Sequence, residues 1–471
     1  MTEWTERVPG LDMEADRLLA QLPALLAEAS KRADGIITTS PLDGRSVGRI
    51  VRLAGLAAPE LGAAILPLVR GGASRSVDVG AAIVPVLSKL ALHGGPTYVK
   101  LGQLIASTRG LAPEWIADAF AGCRDAVPPA SSRDVASLLM ASGIDEHVRS
   151  WERRPLASAS VAQVHEATLA DGREVVIKVR RPGIVGTVAG DASYLLPLLR
   201  LVESRDDRLR VANLHGTLEL MLRLFAQEVD LRLEAASIVE MALAFERAGI
   251  DVQIPAPIPG LVTKRVLVME RIDGVSAASD DAMQRFGHAA HDLVRLAVAG
   301  VLHTTMIDGI FHGDLHLGNV LITERGLSLI DFGIVGRLSP RQRSALLGLL
   351  QAAMVEDRDA LVVALRDFGA MPRGVDVDDF LAQLPPPLTM EQRMALFESG
   401  DERVIEERMT SIVRALTAAG FQVPPELTLF AKNLVYLSDA IQRHAPDMDV
   451  VSEIGNTVSA VLAAAVDANR G

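Results

Sequence analysis

Asp314, Asn319 and Asp331 are the side chains of this 471-residue chain whose types and spacing most suggest chemistry. They stand in two stretches, Phe311-His312-Gly313-Asp314-Leu315-His316-Leu317-Gly318-Asn319 and Leu329-Ile330-Asp331-Phe332-Gly333. A carboxylate, an amide five residues on and a second carboxylate, brought onto neighbouring loops, suit phosphoryl transfer. One Asp orients the accepting oxygen, while the Asn and the other Asp hold Mg²⁺ against the phosphates. Mg²⁺ is a hard cation, so oxygen ligands fit it and thiols or imidazoles do not. Either stretch alone is a weak signal; both in this order, flanked by apolar runs, make a strong one.

Positioning these groups takes a particular set of elements. Apolar runs at 320–322 and 327–330, joined by a polar turn at 323–326, predict a strand pair that brings Asn319 and Asp331 together. Upstream, 161–169 and 173–179 read as a β-hairpin about Ala170-Asp171-Gly172. Lys178 falls on its second strand, as does the lysine that reaches the α- and β-phosphates in phosphotransferases. Lysine is scarce, six among 47 Lys and Arg, and a chain that writes Arg almost everywhere keeps Lys where a compact ammonium is needed. Lys100 and Lys178 are the two inside recognisable patterns. A single helix is expected over about 212–248, carrying Glu228, Asp230 and Glu234. Asp230 and Glu234 then share a face, and Glu228 points about 120° away from Glu234. One acid can meet Lys178 while another faces a different partner.

The remaining pattern is mostly helical. Residues 1–35 read as an acidic amphipathic helix with Leu18, Leu19, Leu22 and Leu25 on one face, a packing face rather than a binding one. A second helix is expected at 46–70, then a Gly/Ser break at 71–76. A helical block at 79–125 contains Tyr98-Val99-Lys100-Leu101-Gly102-Gln103 and Ser107-Thr108-Arg109, and a short helix follows at 132–142. Residues 264–272 predict a strand ending at Met269-Glu270, and a helix over 281–308 leads into the first chemical stretch. Ser339-Pro340 is a helix start. Beyond it the chain is nearly all helix, broken at 385–387 and 424–425, with little room for an activation loop.

Composition narrows the class. Hydrophobic residues make up 49% and aromatics only 4%, so the core is Leu, Val, Ala and Ile, as in helix-rich proteins. The net charge of -12 argues against non-specific nucleic-acid binding. A single cysteine, Cys123, excludes an intramolecular disulfide and a cysteine-rich metal site, and fits a reducing, cytoplasmic setting. No signal peptide is read at the N-terminus. No apolar run of about eighteen residues is read either, so no transmembrane helix is expected. Peripheral contact with a membrane surface stays open through amphipathic segments such as 79–93.

Taken together, the motifs resemble the UbiB-type atypical kinases, also called the ADCK or AarF-like family, from about residue 85 to 450. The resemblance rests on Lys100-Leu101-Gly102-Gln103, Ala157-Ser158-Ala159-Ser160, Gln163-Val164-His165, Lys178, Glu228-x-Asp230 with Glu234-Ala235, Met269-Glu270 and the two chemical stretches. It extends to Pro424-Pro425-Glu426-Leu427 and Pro446-Asp447. It implies an α+β, two-lobed protein-kinase-like fold with an N-terminal helical extension carrying Lys-x-Gly-Gln. The implied parts are a helical region at 1–78, the extension at 79–150, an N-lobe with inserted helices at 151–272 and a helical C-lobe at 273–471.

By the same resemblance, Lys178 pairs with Glu234 and touches the phosphates of ATP or ADP, and Asp314 takes the catalytic-loop position. Asn319 and Asp331 hold Mg²⁺, and Met269 and Glu270 form the hinge that meets adenine. Lys100 pairs with Glu228 of the Glu-x-Asp element and, with Gly102, Gln103 and Asp230, holds the extension over the site. The loop Ala157, Ser158, Ala159, Ser160 stands where other kinases have glycines. Alanine does not take positive φ cheaply, so the loop offers phosphates other N–H positions and an altered nucleotide preference is expected.

The chain departs from the family pattern in three places: Ser158 stands in the alanine loop, Leu315 and Leu317 replace prolines, and Ser237 replaces an Asn. Losing two prolines loosens the catalytic loop. The implied function is an atypical kinase or ATPase supporting isoprenoid-lipid or quinone synthesis at a membrane surface, in contact with a biosynthetic complex. The long helical N-terminus leaves room for a homodimer. Two alternatives stand beside it: a small-molecule phosphotransferase of the aminoglycoside or choline-kinase kind, and a nucleotide-gated scaffold that binds a lipid or protein without turnover.

Overall fold

The computed structural model of the chain describes residues 3–38, 95–106, 128–204, 214–279, 281–355, 357–371, 374–384 and 424–448, with isolated residues between. The expected helix at 46–70, most of segment 79–93 and Ser107-Thr108-Arg109 lie outside the described residues. In chain order the strands are β1 (Val148–Trp151), β2 (Ala157–Ser158), β3 (Ala162–Leu169), β4 (Glu174–Arg180), β5 (Pro257–Val262), β6 (Val266–Glu270), β7 (Val275–Ser276), β8 (Ile310–His312), β9 (Val320–Thr323), β10 (Gly326–Leu329) and β11 (Val335–Arg337). The helices among the described residues begin with α1 (Glu3–Glu6), α2 (Leu11–Thr38), α3 (Pro96–Ala106), α4 (Ser132–Ala141), α5 (Ile184–Glu203), α6 (Leu214–Glu228) and α7 (Leu231–Ala248). They continue with α8 (Ala282–Arg285), α9 (Ala290–His303), α10 (Pro340–Val355), α11 (Arg358–Phe368), α12 (Val377–Gln383) and α13 (Pro425–His444). Two compact units result: Met1–Glu246 with Asp251–Ser276 and Asn319–Ile334, and Arg247–Ile250 with Ala277–Gly318 and Val335–Gly471.

The first unit is built on an antiparallel sheet ordered β1-β3-β4-β6-β5, with β2 on β3. β3 and β4 form the expected hairpin. Asp171 accepts the Arg173 N–H at 3.0 Å, and Gly172 takes φ +91°, a left-handed conformation open to glycine at no steric penalty. β4 lies between β3 and β6, which is why Val175, Val176, Ile177 and Val179 are all buried. Lys178 faces Val164 on one side and Leu267 on the other, in the middle of a covered sheet. An ammonium buried there requires carboxylates.

One expectation is corrected in this unit. The single helix over 212–248 is two, α6 and α7, broken at Val229-Asp230. Asp230 turns its carboxylate onto the Arg232 N–H and Nε, competing with helical hydrogen bonding. Arg32 and Arg180 donate to the Ala226 and Val229 carbonyls at 2.6 and 2.7 Å, satisfying the end of α6. One helical period therefore does not run from Glu228 to Glu234. In addition, α5 contains an eighteen-residue window, Ile184–Leu201, long and apolar enough by length and composition to cross a membrane. One face of it, Ile184, Val188, Ala192 and Leu196, packs into a core shared with Leu218 and Phe225 of α6. The N-terminal α2 starts later than expected and buries Leu18, Leu22 and Leu25.

A second, three-stranded sheet of the first unit is ordered β10-β9-β7. The backbone of Gln253 brackets β10, donating to the Leu327 carbonyl at 2.8 Å and accepting from Leu329 N–H at 3.0 Å. In the second unit the helix expected over 281–308 is interrupted after α8, and α9 ends in a π turn at Thr304–Asp308. There the Thr304 and Thr305 hydroxyls donate back to the Gly300 and Val301 carbonyls. β8 follows and pairs with β11. The start of α10 is a capping box: Gln342 N–H donates to Ser339 Oγ, and Gln342 Oε1 accepts from Ser339 N–H.

Candidate active site

The first unit gathers a buried charge cluster around β4. Lys178 Nζ donates to Glu234 Oε1 at 2.7 Å and to Asp331 Oδ1 at 2.8 Å. Glu234 is on the first turn of α7, and its carboxyl is as buried as the lysine. Asp331 keeps 43% of its side chain exposed. Burial opposes the Lys178 charge, but Asp331 and Glu234 outweigh it and hold the ammonium above its ordinary pKa. Burial pushes Glu234 up to about 7, with Lys178 opposing and Asp331 adding to the rise. Two carboxylates share one ammonium here, and Glu234 is the drier of them.

Asn319 and Asp331 are set by the β9–β10 hairpin. Val320 pairs with Leu329, and the Ile330 N–H donates to the Asn319 carbonyl at 3.0 Å, so the residues flanking the hairpin lie side by side. Asp331 takes φ +60°, the one non-glycine with positive φ among the described residues. Asp tolerates this region, and its Oδ1 also accepts from Gly333 N–H at 3.3 Å. An amide oxygen and a carboxylate are hard oxygen donors of the kind that would hold Mg²⁺.

Lys100, on α3, lies 2.5 Å from Glu228 at the end of α6. The break after Glu228 lets this acid serve Lys100 while Glu234, on the next helix, serves Lys178. Glu228 also lies against Gly333: a Cβ there would sit 3.5 Å from Glu228 Cγ and 3.3 Å from Asp331 Oδ1. Glu228, Glu234 and Asp331 thus cluster with Lys100 and Lys178. Gly102 is buried on α3, and Gln103 follows it on the same helix. Asp230 is brought to neither Lys100 nor Lys178. Its carboxylate pairs with Arg232 at 2.8 Å and Arg32 at 3.5 Å, tying α2 to the α6–α7 break.

The Ala157 to Ser160 loop begins as β2 and turns back with Ala159 N–H on the Ala162 carbonyl at 2.9 Å. Arg181 holds it: Nε donates to the Ala159 carbonyl, Nη2 to Ser158 Oγ and Nη1 to the Pro128 carbonyl. No sequence signal marked Arg181. Behind the loop, Gln163 Oε1 accepts from Ala130 N–H, so its amide NH₂ faces His165 Nε2 at 2.8 Å. His165 then donates from Nδ1 to the Glu152 carbonyl, the neutral tautomer, in keeping with a pKa lowered by burial. At the expected hinge, Met269 is buried opposite Val176. Glu270 has its N–H on the Ala256 carbonyl and its Oε2 on Arg7 and Ala256 N–H, so that N–H is not one left for adenine.

In the second unit, Asp314 sits in the loop after β8, where its N–H donates to His312 Nδ1 at 3.1 Å. Lys432 Nζ donates to Asp314 Oδ1 at 2.7 Å, and Asn433 bonds the loop backbone at His312 and Leu315. Neither was singled out from the sequence. Lysine scarcity was the available signal, since Lys432 is one of the six.

A model of the ABC1 atypical kinase-like domain matches residues 122–365. An uncharacterized protein of Mycobacterium tuberculosis is 34% identical over 369 residues, 76% of this chain and 74% of that protein. A probable protein kinase UbiB of Azotobacter vinelandii is 30% identical over 375 residues, 77% of this chain and 68% of the relative. An uncharacterized aarF domain-containing protein kinase of Arabidopsis thaliana, named as chloroplastic, is 28% identical over 409 residues, 81% and 76% of the two chains. With its α+β kinase-like fold, the chain belongs to the ABC1 atypical kinase-like family, in which its relatives are named UbiB and aarF-domain kinases.

Proposed function

We propose that the protein is a UbiB-type atypical kinase or ATPase that binds ATP or ADP with Mg²⁺ and serves isoprenoid-lipid or quinone synthesis at a membrane surface. The observation that carries this reading is the Lys178–Glu234–Asp331 cluster. Glu234 holds Lys178, whose charge would face phosphates, and Asp331 is the carboxylate that would serve a metal ion. Asn319 and Asp331 would hold the ion, which when bound neutralises phosphate charge. The Ala157–Ser160 loop, fixed by Arg181, would cover the phosphates, and Asp314, described within the second unit, is the residue type that orients an accepting oxygen. Lys100 and Glu228 hold α3 beside the Asp331-Phe332-Gly333 stretch. Lys432 beside Asp314 favours water or an uncharged or anionic acceptor over the cationic acceptors of aminoglycoside and choline kinases.

The test is phosphate release from Mg-ATP by the full chain, with and without anionic lipid vesicles and a soluble quinone-like phenol, against Asp331→Asn and Lys178→Ala. Turnover that rises with lipid and vanishes in both variants supports the reading. Nucleotide binding with no turnover under any lipid condition would shift the assignment to a nucleotide-gated scaffold.

A further inference from the structure

We propose that Lys432 and Asn433 of α13 are positioning residues that hold the Asp314 carboxylate and its loop in one geometry. The proposal rests on the phosphotransfer role given to Asp314 above.

The placement of α13 against β8 is fixed by core packing. Phe430 and Phe311 are both fully buried and meet edge to face, with ring centroids 5.7 Å apart. Leu437 and Ile441 are buried further along the same helix. This leaves Lys432 and Asn433 facing the loop that follows β8.

Asn433 is completely buried and spans Asp314 on both sides. Its Nδ2 donates to the His312 carbonyl, and its Oδ1 accepts from Leu315 N–H at 3.4 Å. A proline at 315 has no N–H and could not make the second bond. The leucine that loosens the loop by composition therefore also supplies the donor by which a distant helix tightens it.

Lys432 adds a charged contact at the carboxylate itself, 2.7 Å from Asp314 Oδ1 and only 10% exposed. Its ammonium is 5.4 Å from the Tyr436 ring centroid, one turn along α13, and His316 of the loop packs edge-on to the same ring at 6.0 Å. Three positions of one helix thus engage the loop at 312, 314, 315 and 316. A short, charge-assisted bond from a rigid element sets the side-chain angle of the carboxylate, and misplacement of a reacting group by about 1 Å can lower rate about 100-fold.

The experiment uses the full chain as wild type, Lys432→Ala, Lys432→Arg, Asn433→Ala, Leu315→Pro and Asp314→Asn. Mg-ATP turnover and backbone hydrogen exchange over 312–319 are measured on each. Lys432→Ala is expected to lower kcat by about 10- to 100-fold with the KM for ATP within about twofold, and Lys432→Arg to recover most of the loss. Asn433→Ala is expected to speed exchange in the loop by about tenfold, with less effect when Leu315→Pro has already removed the donor. Turnover lost in Asp314→Asn but unchanged in Lys432→Ala would overturn the proposal while leaving the phosphotransfer reading intact. Wild-type turnover in Asp314→Asn would instead remove the role of Asp314. Should the wild type release no phosphate, the exchange measurement decides: unchanged loop protection in both Lys432→Ala and Asn433→Ala overturns the proposal, and faster exchange confined to the loop supports it.

Discussion

Replacing Glu234 by Gln isolates the most perturbed carboxyl of the first unit. Its pKa is raised from 4.5 to about 7, first by burial, then by Asp331, with Lys178 opposing. Between pH 4.5 and 7 the folded protein keeps a proton that the unfolded chain has released. Stability therefore falls as pH rises through that window and is level above it. At about 1.36 kcal/mol per pH unit the fall amounts to about 3 kcal/mol. Lys178 adds nothing in this window. Its pKa is raised from 10.5, so it is protonated in both states, and its own contribution is lost only at still higher pH. Gln does not titrate and keeps an oxygen for Lys178. The stability difference between variant and wild type should move by about 3 kcal/mol in favour of the variant from pH 4.5 to 7.5. Urea unfolding at a series of pH values, followed by tryptophan fluorescence, measures it. Titrations common to both proteins cancel in the difference. A difference flat within about 0.5 kcal/mol across the range would refute the placement of the proton on Glu234.

Arg181→Ala removes three hydrogen bonds from the alanine-rich loop and its neighbour Pro128; proteolysis within 156–162 is expected to become about tenfold faster, and an unchanged rate would mean the loop is held by other contacts. Gly336→Ala places a methyl group on the buried Phe311 ring, where β11 crosses β8, and is expected to destabilise the second unit by about 1–3 kcal/mol. Part of that loss should return in combination with Phe311→Leu, and a neutral Gly336→Ala in urea unfolding would show the contact to be slack.

Local pattern carried much of the architecture into the sequence. The β3–β4 and β9–β10 hairpins are legible because alternation and turn residues are near neighbours, and the second hairpin is what puts Asn319 beside Asp331. Lys178 was legible as an isolated ammonium in an apolar strand. The break between α6 and α7 was not, because neither Gly nor Pro marks it. Arg32 and Arg180, distant in the chain, take the carbonyls that end α6. The same reason hid the hold of α13 on Asp314, whose partner Lys432 is 118 residues away. Glu270 matched a hinge by sequence, but only the fold shows its N–H turned onto Ala256. Composition also concealed α5, whose Asp191 and Arg200 interrupt an otherwise apolar run.

Lys178, Glu234, Asn319 and Asp331 are proposed to form a Mg²⁺-dependent nucleotide site. Isothermal calorimetry of ATP and ADP against the full chain, with Mg²⁺ and with a chelator, tests it directly. Binding should weaken at least about tenfold without Mg²⁺, lose that dependence in Asp331→Asn and be abolished in Lys178→Ala. Binding of equal strength in all three proteins, with or without the ion, would contradict it.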